Sequence, residues 1–406
     1  MKAQLLICFV LFSIQIGFAL EPQTSPKDTI FTSKMDIIDI GLKFFPKAKW
    51  RLKDTSGFRF RKMNSALLPG VNYSLQTNLA YSLNYVGGIN LTNNPNANQS
   101  SLNITMIYTQ LNQFLVPIVA NIWTKDDKYN IQLDWRYLIF PQTTYGLGST
   151  TQQTSGYTLN FTNIRSYSTL YKPVSKFIYL GVGYSFDYLY NVHEINPVPG
   201  LTDFQAYNQL NHISASSSIS SAPTINFLID TRKNSINPSS GAFVNIVYRN
   251  NLTQLGSSQN WQSLVVDARK YYSLSSTKNR ILSFWTYNWF TLQGATPYIL
   301  LPYTAGDPLN NTARGFAEAR LRGINMLYLE SEYRFDILKN GLLGGVVFSN
   351  IESFSNLYNH FDGINYAYGA GLRIKINKYA KTNAAIDYAF GTNGSRGIFL
   401  NLGEVF

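Results

Sequence analysis

From Lys62 to Phe406 the chain alternates apolar with polar side chains, in segments separated by clusters of Asn, Gly, Ser, Asp or Pro. A period of two sends successive side chains to opposite faces of a strand. Ile131, Leu133, Trp135, Tyr137 and Ile139 alternate with Gln132, Asp134 and Arg136. Leu327, Leu329, Tyr333 and Phe335 alternate with Tyr328, Glu330, Glu332 and Arg334, and Tyr366, Tyr368, Leu372, Ile374 and Ile376 with Gly369, Gly371, Arg373 and Lys375. Leu264, Val266 and Ala268 alternate with Asp267 and Arg269, and Ala384, Ile386, Tyr388 and Phe390 with Asn383 and Asp387. On a half-buried soluble sheet the mid-strand charges would face water. In a closed barrel they would line a wet lumen while the other face meets hydrocarbon.

The last segment, Arg396 to Phe406, places Ile398, Leu400, Leu402 and Phe406 on one parity, with Glu404 as its one charge. Gly397, Asn401 and Gly403 fall on the other. Such a strand suits the closing position of a transmembrane barrel, with Glu404 expected at the interface.

Composition separates the soluble and membrane alternatives. Charged residues are 14% and aromatics 15% of 406 residues, with Tyr 28 and Phe 26; a soluble domain usually carries about 25% charged residues. Met1-Lys2, an apolar run from Leu5 to Phe18 and small residues Gly17 and Ala19 read as a secretory signal, cleaved after Ala19. Cys8, the only cysteine, lies within it, so neither a disulfide nor a thiolate metal site is expected in the mature chain. No later apolar run is long enough for a spanning helix. The net charge of +12 fits basic turns near anionic lipid. An exported chain without a compact basic motif is not expected to bind nucleic acid.

Three parts follow: a signal peptide at 1–19, a periplasmic segment at 20–61 and a transmembrane barrel at 62–406. Met35 to Phe45 within the second part reads as a short amphipathic helix or a stapled linker. The barrel divides into about sixteen strands, at 62–74, 75–91, 100–110, 112–125, 129–141, 156–172, 176–193, 211–231, 241–254, 259–275, 280–296, 324–337, 341–355, 364–377, 381–391 and 395–406. An even count places both ends on the periplasmic side of a bacterial outer membrane. Short basic connections such as 124–128, 275–279 and 377–381 read as periplasmic turns. Longer ones such as 142–155, 194–210 and 297–323 read as outer loops.

Catalytic signals are weak. His193, His212 and His360 lie at no metal-ligand spacing, and there is no nucleophile elbow or phosphate loop. His212-Ile-Ser214-Ala-Ser216 could imitate a lipid-facing hydrolase site on adjacent strands, but serine is abundant enough for a chance match. Glu330 and Glu332 share a lumen face beside Arg334, which favours a structural charge network over acid–base chemistry. No enzymatic activity, metal or cofactor is expected.

The segment Pro302 to Gly323, rich in arginine, precedes the strand bearing Glu330 and Glu332. It is either a solvated outer loop or one folded into the lumen, where a guanidinium can grip wall carboxylates through paired hydrogen bonds.

Four motifs here resemble the BamA/TamA superfamily, the bacterial surface antigen family. Arg314-Gly315-Phe316, before the twelfth strand, resembles the tip of that family's sixth outer loop. Asp230-Thr-Arg232-Lys-Asn234 through Pro238 to Gly241 is similar to its turn between strands eight and nine, with Lys233 where an acid often stands. Glu332-Tyr-Arg334-Phe335 resembles the strand after the loop. Asn401, Gly403 and Phe406 resemble its closing-strand signal.

The resemblance implies an all-β transmembrane antiparallel barrel whose long sixth outer loop folds inward, with Arg314 bonded to Glu332. A second wall acid, expected around Phe348 to Asn350, is Asn350 here, which leaves Glu332 as the expected partner. It implies insertion or translocation of proteins or lipids at the outer membrane, through a seam between first and last strands that could pair an incoming strand. Outer-membrane lipid and unfolded outer-membrane proteins would be its partners. Residues 20–61 are too short for one of the family's periplasmic domains, so a separate periplasmic or lipoprotein partner is expected instead. A passive channel or surface-binding barrel is the alternative on the same scaffold.

Overall fold

The computed structural model describes residues 34–44, 64–74, 77–92, 97–195, 199–378 and 381–406. The expected signal peptide and most of the segment at 20–61 lie outside the described residues. Within 34–44 runs helix α1, Ile37–Phe44.

The remainder is one antiparallel sheet of 17 strands. In chain order they are β1 Asn64–Ser74, β2 Asn78–Ile89, β3 Ser100–Thr109, β4 Phe114–Trp123, β5 Asn130–Ile139, β6 Gln142–Thr144, β7 Tyr157–Pro173, β8 Ile178–Ile195, β9 Ser218–Asp230, β10 Gly241–Asn251, β11 Trp261–Ser273, β12 Arg280–Gly294, β13 Met326–Asp336, β14 Leu343–Phe354, β15 Asn365–Asn377, β16 Thr382–Gly391 and β17 Arg396–Leu402. Three-residue β6 pairs only with the first residues of β7, Tyr157 to Leu159, while β5 pairs with β7 along the whole length of β5. Setting β6 aside leaves the sixteen strands that alternation predicts. Every sequential neighbour among them is laddered, from β1–β2 through β16–β17.

The two faces separate as the sequence pattern requires. On β13, Met326, Tyr328, Glu330, Glu332 and Arg334 are buried inward, while Leu327 and Leu329 face out. Trp135, Leu372, Tyr388, Phe390, Ile398, Leu400 and Leu402 are likewise exposed on the outer wall. No helix among the described residues is long and apolar enough to cross a membrane.

Two boundaries differ from expectation. Residues 203–210 form helix α2, capped where the Thr202 hydroxyl accepts from the Gln205 N–H at 3.2 Å. β9 therefore starts at Ser218 rather than 211. His212, Ser214 and Ser216 sit exposed in the loop before it, not on adjacent strands. β17 ends at Leu402 because Gly403 takes φ +90° and turns the chain inward. Loop lengths also alternate less cleanly than expected, since the connections at 110–113 and 392–395 are short although they share an end with the long loops.

Candidate lumen-locking site

The connection between β12 and β13 is the sixth at its end of the barrel, and it folds into the lumen. Its arms are joined by backbone bonds from Thr304 N to Leu321 O and from Ala319 N to Thr304 O, both 3.0 Å. The Asp307 carboxylate accepts from the N–H groups of Leu309, Asn311 and Thr312, at 3.1, 2.8 and 2.7 Å. These bonds satisfy backbone groups that a buried loop would otherwise leave unpaired.

At the tip, Arg314 is 1% exposed. Its Nη1 donates to Asp387 at 2.6 Å and its Nη2 to Glu332 at 2.9 Å. Nη2 also donates to Glu330. The guanidinium lies 3.7 Å from the Phe348 ring centroid, a favourable contact with the ring's negative face. Asn350 donates to the Arg314 carbonyl at 2.9 Å, and the Ser395 hydroxyl to the Gly315 carbonyl at 2.7 Å. Gly315 has φ +116°, and a Cβ there would lie 2.5 Å from that of Ala367. Phe316 is buried in a cluster that includes Trp285, Tyr287, Tyr328, Phe354 and Phe406.

The charges continue into a closed ring. Arg334 Nη2 donates to Glu332 at 2.9 Å, and its Nε lies 3.6 Å from Glu404. Glu404 accepts from Arg373 Nε at 2.7 Å, and Arg373 Nη1 donates to Asp387 at 2.5 Å. Asp387 returns to Arg314. Arg314, Glu332, Arg334, Glu404, Arg373 and Asp387 thus alternate in sign around a ring drawn from the loop, β13, β15, β16 and the segment after β17. Removing any member leaves each of its two buried neighbours with a single ring partner, so the ring fixes the mutual position of those elements.

The turn between β9 and β10 supports this ring. Arg232 donates from Nε and Nη2 to Asp230 at 2.9 and 2.7 Å and lies 4.4 Å over the Phe243 ring. The pairing forms with Lys233 in the place where an acid often stands. Asn234 Oδ1 accepts from Ile236 N and Asn237 N at 2.9 and 2.7 Å. The Pro238 carbonyl accepts from Arg334 Nη1 at 3.5 Å, and Ile236 O accepts from Glu404 N at 3.0 Å. Gly241, at φ +101°, opens β10, where a Cβ would meet Thr231 O at 2.6 Å.

The closing-strand residues correct the parity reading. Phe406 does not face lipid. It is 3% exposed inside the barrel, 5.1 Å from the Trp285 ring and 6.2 Å from that of Tyr271, and its carbonyl accepts from Arg334 Nη2 at 2.8 Å. Glu404 leaves the interface for the ring. A strand parity cannot be extended through a left-handed glycine, and Gly403 is that glycine. Asn401 keeps its place on the inward face, opposite Ala385. The expectation of one wall acid for Arg314 is also corrected: Glu330 and Asp387 join Glu332. Asp387 and Arg373 were visible as inward charges, but nothing local in the sequence pairs them with the loop.

A second anchor, unmarked by any motif, holds the loop's return arm. Arg322 is fully buried and donates to the carbonyls of Tyr298 and Ile299 at 2.9 and 3.1 Å, and to Gln142 Oε1 at 2.5 Å. Gln142 Nε2 donates to Glu318 at 2.9 Å. Burial pushes the Glu318 carboxyl up to about 7, against the lowering effects of Gln142 and Arg322. No group of three or more His, Cys, Asp or Glu residues suited to a metal occurs among the described residues.

Fold and site together define a transmembrane β-barrel whose sixth far-end loop is locked inside its own lumen. The Omp85 superfamily domain matches residues 68–406, and the chain belongs to that superfamily. Its structure resembles BamA from Haemophilus ducreyi lacking POTRA domains 1-3, with a TM-score of 0.56 at 14% identity, over 84% of this chain and 69% of that one. It also resembles CdiB from Acinetobacter baumannii, at 0.54 and 13%, and CdiB from Escherichia coli, at 0.56 and 8%. The chain spans 60% and 63% of those two proteins. These identities establish the shared barrel fold. No curated protein matches the chain in sequence.

Proposed function

We propose that this barrel sits in the bacterial outer membrane and assists insertion or translocation of proteins or lipids through the seam between β1 and β17. One observation carries the reading. Among the described residues β1 and β17 share no ladder, although every other neighbouring pair of long strands does, and their Cα atoms approach within 8 Å. Paired strands lie about 4.8 Å apart, so this edge is adjacent but unzipped. An unpaired edge can template an incoming strand. Pro69 and Gly70 in β1 weaken pairing further, one lacking a donor and the other a side chain.

The charge ring supplies the coupling. Glu404 follows β17 directly, so displacing the loop at Arg314 loosens the ring that holds the far side of the seam. Unfolded outer-membrane proteins are the clients this reading requires, and a separate periplasmic or lipoprotein partner would deliver them. The test is a set of cysteine pairs placed between Leu67–Val71 and Ile398–Leu402. Oxidation in liposomes should abolish assembly of a small client barrel, and reduction should restore it. Full activity of a completely crosslinked protein overturns the seam mechanism.

A passive conduit is the second reading. Asn103 and Val119, on the inward faces of β3 and β4, are exposed, so that side of the lumen is open to water. A steady open conductance in planar bilayers, with no assembly activity in liposomes, would replace the first reading with this one.

A further inference from the structure

We propose that α1 is an in-plane membrane anchor, seated in the phospholipid interface against the outer wall beside the seam. The helix is built to hold a fixed position. Asp36 Oδ1 accepts from Asp39 N at 2.9 Å, and Asp39 Oδ2 accepts from Asp36 N at 3.1 Å, a reciprocal cap. Met35 N donates to Asn340 O at 2.9 Å. Lys378 N donates to Asp36 at 3.1 Å, and Lys378 Nζ to Asp39 at 2.9 Å. These bonds tie the helix to the β13–β14 and β15–β16 turns.

The side on which it docks is set by the ladder. Ile374 pairs with Ala384, one step beyond Leu372 with Ile386 and Ala370 with Tyr388. Leu372 and Tyr388 are exposed outward, so Ile374 and Ala384 share the lipid-facing parity. Ile37 packs on the cluster of Ile374, Ile376 and Ala384 from outside. The helix therefore lies on the apolar belt, at its edge beside the turns.

That edge lacks another anchor. β11, β12 and β13 present Tyr272, Phe284, Tyr333 and Phe335 outward near this end, in ring contact within the pairs Tyr272–Phe284 and Tyr333–Phe335. Such aromatics seat a barrel at the interface. The corresponding outward positions of β14 to β17 are Leu343, Gly345, Leu372, Ile374, Ile386, Ala384, Leu400 and Leu402, none of them aromatic. The helix stands over this aromatic-free stretch.

Its wheel fits the interface. At about 100° per residue, Ile38 and Ile40 flank Ile37 on either side, whereas Asp39 and Lys43 point to the opposite arc. Ile37 uses only part of the apolar arc against the wall, and the rest is continuous with the lipid-facing belt. An apolar arc with a charged opposite face is the pattern of a helix lying in the bilayer surface. The sequence that follows carries Lys47, Lys49, Arg51 and Lys53 around Trp50, a charge complementary to anionic headgroups.

The inference is independent of what the seam transports. Its test uses the full chain with Cys8→Ser, single substitutions Ile38→Cys, Ile40→Cys or Lys43→Cys, and an environment-sensitive NBD label. The protein is reconstituted in nanodiscs of phosphatidylcholine and phosphatidylglycerol, with heat-modifiable migration confirming the fold. Labels at 38 and 40 should lose most of their emission to doxyl-labelled phospholipid and little to iodide, and the label at 43 should do the reverse. Iodide quenching at all three positions, or lipid quenching at 43 alone, overturns the anchor.

Discussion

Arg314→Ala tests the ring where it is least redundant. Glu332 keeps Arg334, and Asp387 keeps Arg373, when the loop guanidinium is lost. Glu330 has no such reserve, since its remaining hydrogen-bond partner is the Tyr328 hydroxyl. Breaking a buried pair by removing one member costs about 3–5 kcal/mol, mostly the penalty of the charge left behind. The contact with Phe348 is lost in the same step. The reasoning then makes a sharper claim: adding Glu330→Gln to Arg314→Ala should return about 1–2 kcal/mol, because the orphan is no longer a charge. Adding Glu332→Gln instead should return nothing, because it strips Arg334 of its nearest carboxylate. The assay is the temperature at which folded, fast-migrating protein converts to the unfolded band in detergent gels. An Arg314→Ala barrel that converts with the wild type refutes the ring as a structural element. Rescue by Glu332→Gln rather than Glu330→Gln refutes the assignment of the orphan.

Three further outcomes follow from the geometry. Gly315→Ala combines a strained φ with a 2.5 Å approach to Ala367; it should cost about 1–3 kcal/mol and lower the same conversion temperature, and an unchanged temperature contradicts the tight fit. Phe406→Ala empties a space against Trp285 and Tyr271 and should cost about 3–5 kcal/mol, whereas a lipid-facing residue would tolerate the change. Glu318 is favoured in its neutral form when the loop is docked, with its pKa raised from 4.5 to about 7. Its contribution to docking is full below the unfolded value and is lost as pH rises through about 7. Protease access to the loop should therefore grow as pH rises from about 4.5 to about 7 and level off above that, and Glu318→Gln should flatten that response.

Most of the barrel was legible because each strand meets two solvents, and a period of two survives any local accident of sequence. The strands at 100–110, 241–254 and 364–377 fall within a few residues of where the structure puts them. α2 escaped because Asp203–Leu210 is polar and short, and its stability comes from the Thr202 cap and from Phe204 and Tyr207 packing beneath the loops. Neither feature produces a periodic signal. β6 escaped for the same reason, being three residues made extended by the edge of β7.

The site divides along a different line. Arg314, Glu332, the turn at Asp230 and the tail were each visible as separate motifs, and the structure brings all four into one hydrogen-bonded assembly. What joins them was not visible. Arg373, Asp387 and Glu404 are 14 to 31 residues apart along the chain, and pairing across a lumen depends on barrel closure rather than on spacing. Gly403 is the hinge of the misreading, since one positive φ converts a lipid-facing terminus into a lumen plug. The same turn gives the tail its role: by carrying Glu404 inward, it makes the strand beside the open seam answerable to the charge at the tip of the sixth loop. A barrel with a solvated sixth loop and a straight last strand would have no physical route between the two.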